Sequence, residues 1–232
     1  MRMPFDHNDH YHRLLLRQLP PGCRTALDVG CGTGRFARRL AARGIVVDAV
    51  DPAAEAVAAA RELTARELST RELTAAAGAG ERPRFRQADV TQVELPRGHY
   101  DFVSCLASLH HMPFDTVRAL RESLAPGGVL VVLGCYPERS RTDWAWSLAA
   151  VPVNAAARVA VALAERVRGG RPAGPGAVRA PVAPPRMSYA ETRREAAVLL
   201  PGCRMRRLLF WRYLLVHRAP DGAGAPGGAG GN

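Results

Sequence analysis

Lysine is absent from this sequence of 232 residues, because all of its 32 basic residues are arginine. They exceed the 21 acidic residues, which gives a formal net charge of +11 and at first suggests nucleic-acid binding. However, the arginines are spread along the chain, and an excess of charge alone is not specific. Arginine in place of lysine, together with abundant alanine, glycine and proline, is typical of a GC-rich coding bias. Nucleic acid is therefore a disfavoured partner.

Cysteine is also scarce, and none of the five cysteines forms a C-x-x-C pair. Neither a disulfide framework nor a zinc site is expected, and a reducing compartment is favoured. Residues 1–12 lack the apolar core of a signal peptide. The longest apolar run, residues 144–163, is interrupted by Pro152, Asn154 and Arg158, so no membrane span is expected. We therefore predict a cytoplasmic protein.

Histidines near the N-terminus are weak candidates for a metal site. His7, His10 and His12 are potential ligands, but their spacing matches no zinc pattern. We therefore predict that the protein holds no metal.

Short apolar strands alternate with helical stretches, which is typical of an α/β fold with a mostly parallel sheet. Two closing strands, 203–211 and 212–217, have almost no residues between them, so they must pair antiparallel. Ser188 and Glu191 predict a capping-box start for the helix 188–200. The other strands are predicted at 25–29, 45–50, 84–90, 100–106 and 129–135, and the other helices at 35–43, from about 53, and at 115–124.

Three segments fall outside this alternation. The pentapeptide repeat at 61–75 places leucines five apart, so they share no helix face, and we expect a solvated helical extension. Its pairs Glu62–Arg66 and Glu67–Arg71 suit i,i+4 ion pairing. Residues 143–168 carry one apolar helical stripe and precede a Pro/Gly-rich connection. The tail 219–232 is expected to be disordered.

The strongest local signal is Leu27-Asp-Val-Gly-Cys-Gly-Thr-Gly-Arg-Phe-Ala37, in which a strand ends in a glycine turn before a helix. A pyrophosphate-binding loop would need G-x-G-x-x-G, with its third glycine at the position of Arg35. Here the spacing is G-x-G-x-G, and Asp28 precedes it. Its carboxylate would repel a pyrophosphate but favour a cationic ligand.

This motif resembles the first motif of the class I S-adenosylmethionine-dependent methyltransferases, and four further motifs follow in the order of that family. The resemblance covers about residues 7–135 and 186–218. It implies a Rossmann-like, seven-stranded, mostly parallel sheet with a reversed last strand and helices on both faces. It also implies S-adenosyl-L-methionine as cofactor. We predict one domain, 1–218, with an N-terminal lid helix at 1–20 and an acceptor cap at 137–187.

The resemblance also implies roles for individual residues. Asp51, after the second strand, would accept from both ribose hydroxyls, and Asp89 would accept from the adenine amino group, with the N–H of Val90 available to the ring. Tyr11 would touch the methionine end. The predicted cofactor-binding set is Tyr11, Asp28, Gly30, Cys31, Gly32, Thr33, Gly34, Asp51, Pro52, Asp89, Val90 and Leu106.

Methyl transfer is an in-line displacement, so the protein mainly aligns the acceptor and excludes water. His110 and His111 follow the fourth strand and are the candidate general bases, although packing or cofactor contact is the alternative role. Trp144 and Trp146 would lie near the mouth of a pocket for a flat, apolar acceptor. Residues 104–107 read Ser-Cys-Leu-Ala and match neither Asn-Pro-Pro-Tyr nor Asp-Pro-Pro-Tyr, which argues against methylation of the amino groups of DNA bases or of glutamine side chains in proteins.

The function predicted from the sequence is methylation of a small molecule in secondary metabolism. RNA or protein methylation is one alternative, motivated by the excess of arginine. A non-catalytic subunit that binds the cofactor is another. The identity of the acceptor, the methylated atom and the oligomeric state stay open.

Overall fold

The computed structural model describes residues 7–73, 82–137, 184–209 and 211–222. The predicted helix at 143–168, the Pro/Gly-rich connection and the two tryptophans at its start lie outside the described residues. So does most of the predicted disordered tail.

Seven strands form one sheet, in the order β3-β2-β1-β4-β5-β7-β6. The first five strands pair parallel to their neighbours, whereas β7 runs antiparallel to both β5 and β6. The predicted fold class and the reversed closing strand are thus confirmed. The strands are β1 (Thr25–Val29), β2 (Val46–Asp51), β3 (Arg84–Gln87), β4 (Tyr100–Leu106), β5 (Leu124–Cys135), β6 (Arg204–Leu208) and β7 (Arg212–Arg218).

Helices cover both faces of the sheet. One core cluster joins the sheet to α4 and α5, and a second joins it to α1, α2 and α3. The central strands β4 and β5 are buried on both faces, so burial does not alternate at residues 102–105 or 128–134, and residues 129–133 form a continuous apolar run. The helices are α1 (His7–Leu16), α2 (Arg35–Ala41), α3 (Ala54–Leu73), α4 (Thr116–Glu122) and α5 (Tyr189–Leu199), and a 3-10 turn spans Leu109–His111.

Three predicted boundaries were wrong. The sixth strand ends at Leu208 and does not reach Trp211, because Leu209 and Trp211 belong to the turn before β7. The third strand ends at Gln87 and does not reach Val90, because its partner β2 ends at Asp51 opposite Gln87 and the chain then turns, with the N–H of Gln92 donating to the Asp89 carbonyl at 2.9 Å. The fifth strand begins at Leu124, five residues before its predicted start. The turn signal at 125–128 lies in an irregular part of that strand, where its register with β4 shifts.

The pentapeptide repeat is helical, as predicted, and forms most of α3. Arg66 Nη2 lies 2.6 Å from Glu62 Oε1, which confirms that ion pair. The repeat is more than a solvated extension, because Thr64 is buried and Glu67 Oε1 lies 3.1 Å from Arg38 Nε on α2. The side chain of Arg71, the partner predicted for Glu67, lies outside the described residues.

The predicted capping box at the start of α5 is present. Ser188 Oγ accepts from the Glu191 N–H at 3.3 Å, and Glu191 Oε2 accepts from the Ser188 N–H at 2.7 Å. Two backbone donors that helix geometry leaves without partners are thereby satisfied.

Removal of this cap should lower stability without affecting the rest of the fold. We expect Ser188→Ala to reduce the free energy of unfolding by about 1 kcal/mol, measured by urea denaturation. Ser69→Ala is the matched control, because Ser69 is exposed in the middle of α3 and alanine favours a helix interior. Equal losses in the two variants would contradict the capping role.

Candidate active site

The predicted cofactor residues from β1 to β4 gather at one edge of the sheet. Parallel strands all end at the same edge, where open α/β sheets bind their ligands. The glycine turn follows β1, Asp51 ends β2, Asp89 follows β3, and Leu106 ends β4. Residues that are up to 76 positions apart in the sequence are therefore neighbours in the site.

The glycine turn is attached to the end of β2 by backbone hydrogen bonds. The N–H groups of Gly30 and Cys31 both donate to the Val50 carbonyl, at 2.8 and 3.1 Å. The N–H of Gly32 donates to Asp51 Oδ2 at 2.8 Å. These bonds fix the turn before any ligand arrives, so the site is preorganised.

Gly30 and Gly32 are required for different reasons, although both have positive φ angles, of 67° and 53°. A Cβ on Gly30 would lie 2.3 Å from the Cβ of Ser108, so the segment after β4 packs directly on this glycine. A Cβ on Gly32 would meet no atom within 4 Å. Gly32 thus faces open space, and a glycine there lets a ligand approach the backbone.

Asp28 is buried at the end of β1, and only one of its carboxylate oxygens is satisfied. Its neighbour in the sheet register is Ser104, whose hydroxyl donates to Asp28 Oδ1 at 2.7 Å. Oδ2 has no hydrogen-bond partner among the described residues. Burial raises the pKa of Asp28 from 3.8 to about 6, although hydrogen bonding from the Ser104 hydroxyl and, less strongly, from the backbone N–H of Ala37 opposes this. An unsatisfied buried carboxylate oxygen favours a cationic ligand.

Asp51 has both carboxylate oxygens on backbone donors. Oδ2 accepts from Gly32, and Oδ1 accepts from the Ala53 N–H at 3.0 Å. A carboxylate has about four acceptor sites, so one on each oxygen is left for a ribose hydroxyl. The role predicted for Asp51 is compatible with this geometry and becomes part of our proposal below.

Asp89 is exposed, and Thr91 holds one of its oxygens. The hydroxyl and the N–H of Thr91 donate to Asp89 Oδ1 at 2.7 and 2.9 Å. These hydrogen bonds, from the hydroxyl first, lower the pKa of Asp89. Both bonds reach Oδ1, which leaves Oδ2 for the contact with the adenine amino group that the sequence predicts. Val90 is buried in the core beside it.

Two residues that the sequence did not single out stabilise this site. Ser104 orients the carboxylate of Asp28, as described above. Arg38 Nη1 donates to the carbonyl of Thr33 in the glycine turn at 2.7 Å, and its ion pair with Glu67 anchors it to α3. Neither residue stands out in the sequence, because both act through partners that only the fold brings close.

The acceptor side begins where β4 ends. Ala107 has a positive φ of 52°, which is unusual for a residue with a Cβ and frequent at functional sites. The hydroxyl of Ser108 donates to the Val29 carbonyl at 2.8 Å and joins this segment to β1. His110 and His111 follow in the 3-10 turn with ring centroids 4.1 Å apart, His110 half-buried and His111 exposed.

Tyr11 packs into the core on α1 and reaches the turn between β6 and β7. Its hydroxyl donates to the Leu209 carbonyl at 2.8 Å. Burial raises its pKa to about 12, so the hydroxyl stays protonated. The turn lies at the same sheet edge as the glycine loop, because Arg212 pairs with Cys135 at the end of β5. Contact between Tyr11 and the methionine end of a cofactor stays a prediction.

Metal binding and membrane insertion find no support in the described part of the chain. It contains no group of three histidine, cysteine or carboxylate side chains arranged for a metal. His12 is buried with its ring 5.0 Å from that of Phe36, and the side chain of His7 lies outside the described residues. Among the described helices, none is long and apolar enough to cross a membrane.

Comparison with known proteins identifies the family. A family model for a methyltransferase domain matches residues 27–132. An uncharacterized methyltransferase of Mycobacterium tuberculosis is 35% identical over 224 residues, which cover 95% of this chain and 100% of the relative. The chain is a class I S-adenosylmethionine-dependent methyltransferase.

Solved structures support the fold of this methyltransferase. A SAM-dependent methyltransferase from Methanosarcina mazei superposes with a TM-score of 0.53 at 15% identity, covering 89% of this chain and 97% of the other. Another from Aquifex aeolicus gives 0.53 at 17% identity, with coverages of 89% and 88%. The fold is thus shared beyond recognisable sequence similarity.

The residues present fit the cofactor of the family. S-adenosylmethionine supplies a methyl group that is already activated on a positively charged sulfur. We propose that Asp28 favours its positive charges, that Gly32 leaves room beside the turn, and that Asp51 and Asp89 bind the ribose and the adenine. The unsatisfied oxygen of Asp28 and the open face of Gly32 are the observations that support this fit.

Substitution of Gly32 should separate binding from folding. We expect Gly32→Ala to fold but to bind S-adenosylhomocysteine at least about tenfold more weakly in calorimetry, because its Cβ would enter the space of the ligand. Gly22→Ala is the matched control: Gly22 also has a positive φ, of 70°, and open surroundings, but precedes β1 at the opposite edge. Unchanged affinity in Gly32→Ala would contradict the placement of the site.

The buried carboxylate predicts a pH dependence of stability. Because burial raises the pKa of Asp28 in the fold from 3.8 to about 6, the protonated form is favoured there. Its contribution to the free energy of unfolding is therefore complete below pH 4 and is lost as the pH rises through 6, by up to about 3 kcal/mol. We expect Asp28→Asn to remove this decline in urea titrations at pH 4 and 7.

The same variant should bind the cofactor product less well while being more stable at neutral pH. We expect its affinity for S-adenosylhomocysteine to fall at least about tenfold, the cost of a lost charge-assisted contact. Asp101→Asn is the control, because Asp101 lies at the opposite end of β4 and bonds to Arg24 and Thr25. Asp28→Asn with full affinity would show that the carboxylate has no part in binding.

Proposed function

We propose that this methyltransferase methylates a small, flat organic acceptor that has an apolar body and an ionisable hydroxyl or amine. The observation that carries the proposal is the character of the acceptor side. Imidazole and aromatic side chains lie after β4, after β5 and in the β6–β7 turn, all at the sheet edge that holds the glycine loop. Aromatic rings suit a flat acceptor, and an imidazole suits proton removal near neutral pH.

We call the imidazole and aromatic side chains at this edge the acceptor rim; they are those of His110, His111, Tyr136 and Trp211. Tyr136 and Trp211 were not identified from the sequence. Tyr136 follows β5 and is buried, and its N–H donates to the Trp211 carbonyl at 3.3 Å. Trp211 has a positive φ of 56° and is 38% exposed, which is unusual for so large an apolar ring. A strained turn that holds an indole partly in solvent supports a role in binding.

One relative supports the class of acceptor. A ubiquinone biosynthesis O-methyltransferase of Xanthomonas axonopodis pv. citri is 32% identical over 145 residues, which cover 61% of this chain and 54% of that protein. The name of that enzyme places it in ubiquinone biosynthesis and gives oxygen as the methylated atom. The alignment spans little more than the cofactor domain, so we propose for this chain only the chemical class.

The protein contributes alignment, exclusion of water and removal of a proton. Displacement at a methyl group requires the acceptor atom opposite the leaving sulfur, so the protein must hold the acceptor on the far side of the methyl group from that sulfur. We propose His110 as the general base, because it is half-buried in the turn that directly follows β4, whereas His111 beside it is exposed. A base in this position would take the proton of an acceptor hydroxyl or carry off that of an amine.

We also propose that the protein works in the cytoplasm, within secondary metabolism. The described cysteines support a reducing compartment, because all five are free thiols. Burial raises the pKa of Cys31 well above its ordinary value, which keeps the thiol in the site protonated and inert.

Labelled methyl transfer would test the class of acceptor. Purified protein is incubated with methyl-labelled cofactor and three fractions of a cell extract: small molecules, total RNA and protein. We expect label in the small-molecule fraction. Label confined to RNA or protein would reject the proposal, and absence of label in all three would favour a non-catalytic subunit.

Substitution of the two histidines should distinguish their roles. We expect His110→Gln to reduce the rate constant for a phenolic acceptor by about 10²- to 10⁴-fold, as is usual for loss of a general base, with unchanged affinity for S-adenosylhomocysteine. His111→Gln should stay within about twofold of the parent. His110→Gln should also lose the fall in rate at low pH that protonation of the base causes in the parent. Equal rates in both variants and the parent would exclude an imidazole base.

A further inference from the structure

A cavity lies away from the glycine loop, on the sheet face that α1 covers in part. Its volume is about 530 Å³, within the range of small-molecule sites. It is lined by β6, β7 and the segment after α1, including Gln18. The described site of methyl transfer does not use any of these residues.

The strand register places this cavity toward the opposite edge of the sheet. Arg204 pairs with Val216 near the start of β6, and Arg218 at the end of β7 pairs with Val129 in the first half of β5. The glycine loop and the β6–β7 turn lie at the other ends of these strands. A ligand in the cavity would therefore bind separately from the cofactor.

Three arginines line the cavity, and the described residues that line it include no carboxylate. Arg204 and Arg206 lie on the same face of β6, about 7 Å apart along the strand, and Arg218 lies on β7 beside them. All three side chains are exposed at the rim. Three guanidinium groups around one concave surface produce a strong positive potential that attracts anions.

The outer strand on the other side of the sheet, β3, does have an arginine beside a carboxylate, so the absence of carboxylates around the cavity is not a general feature of the sheet. On β3, Arg84 Nη1 lies 3.9 Å from Asp48 Oδ1 of the neighbouring strand. No such ion pair is found at Arg204, Arg206 or Arg218 in the part of the chain that the structure describes. The guanidinium donors of this cavity are thus available to a ligand.

The floor of the cavity is apolar. Leu214 and Val216, both on β7, line the cavity together with its three arginines, and Leu214 is buried. Pairing with a second copy through β6 is disfavoured, because edge arginines of both copies would meet. A concave shape also suits a small ligand better than an extended nucleic-acid backbone.

We propose that this cavity binds a small phosphate monoester with an apolar substituent. The phosphate dianion would accept from Arg204, Arg206 and Arg218, whose planar guanidinium groups suit bidentate bonds to phosphate oxygens. The apolar substituent would lie on Leu214 and Val216. Gln18, which lies just after α1, also lines the cavity, so a bound ligand would also stabilise the end of α1.

Calorimetry with phenyl phosphate tests the proposal. The full-length protein is first saturated with S-adenosylhomocysteine, so that the cofactor site cannot take up the probe. We expect phenyl phosphate to bind and to raise the unfolding temperature, inorganic phosphate to bind more weakly, and benzyl alcohol not to bind. No binding of phenyl phosphate, or equal affinity for inorganic phosphate, would overturn the proposal.

Variants and a competitor locate the binding. We expect Arg204→Gln/Arg206→Gln to lower the affinity for phenyl phosphate at least about tenfold through loss of charge-assisted bonds. Arg118→Gln/Arg193→Gln removes the same charge from α4 and α5 and should bind like the parent. Both arginine pairs are exposed, so unfolding temperatures without ligand should stay equal. Equal affinities in the two variants, or displacement of the probe by an RNA oligonucleotide at lower concentration, would reject a phosphate-monoester site.

Discussion

The contact between Gly30 and Ser108 is the constraint on which the rest of the site depends. It brings the segment after β4 against the turn after β1, with no room for a Cβ between them. The same serine donates to the Val29 carbonyl, so the two strand ends are fixed to each other. The glycine loop, the carboxylate of Asp28 and the histidine turn therefore keep one relative position, as alignment of a methyl donor and an acceptor requires.

Electrostatics divide the molecule into two functional edges. At the carboxyl edge of the sheet, Asp28, Asp51 and Asp89 lie around the site that we propose for a cofactor with a positively charged sulfur, and that positive charge would offset the cost of burying the Asp28 carboxylate. Toward the other edge, Arg204, Arg206 and Arg218 line one cavity, and no described carboxylate lines it with them. The positive charge of the described residues is thus unevenly distributed, and three arginines surround a cavity that lies away from the methyl-transfer edge.

Much of the cofactor site could be predicted, because its signals are local. The glycine spacing, an acidic residue after β2 and the apolar strands are each contained within a few residues, and the order of the motifs identified the family. The capping box was predictable for the same reason, since Ser188 and Glu191 are three residues apart. The strand boundary at Leu124 was not, because a Pro-Gly-Gly turn signal cannot show that its residues lie within a strand beside β4.

The sequence by itself determined the alternation of strands and helices, the tight turn after β1 and the type of ligand that the turn accepts, since these follow from periodicity and backbone sterics over short distances. Only the tertiary structure decided that Ser104 lies beside Asp28 and that three arginines share one cavity. It also decided that Arg38 connects the glycine turn to the pentapeptide repeat through Glu67. These contacts join residues on different elements, and strand order and register, which side-chain pattern alone does not specify, bring them together.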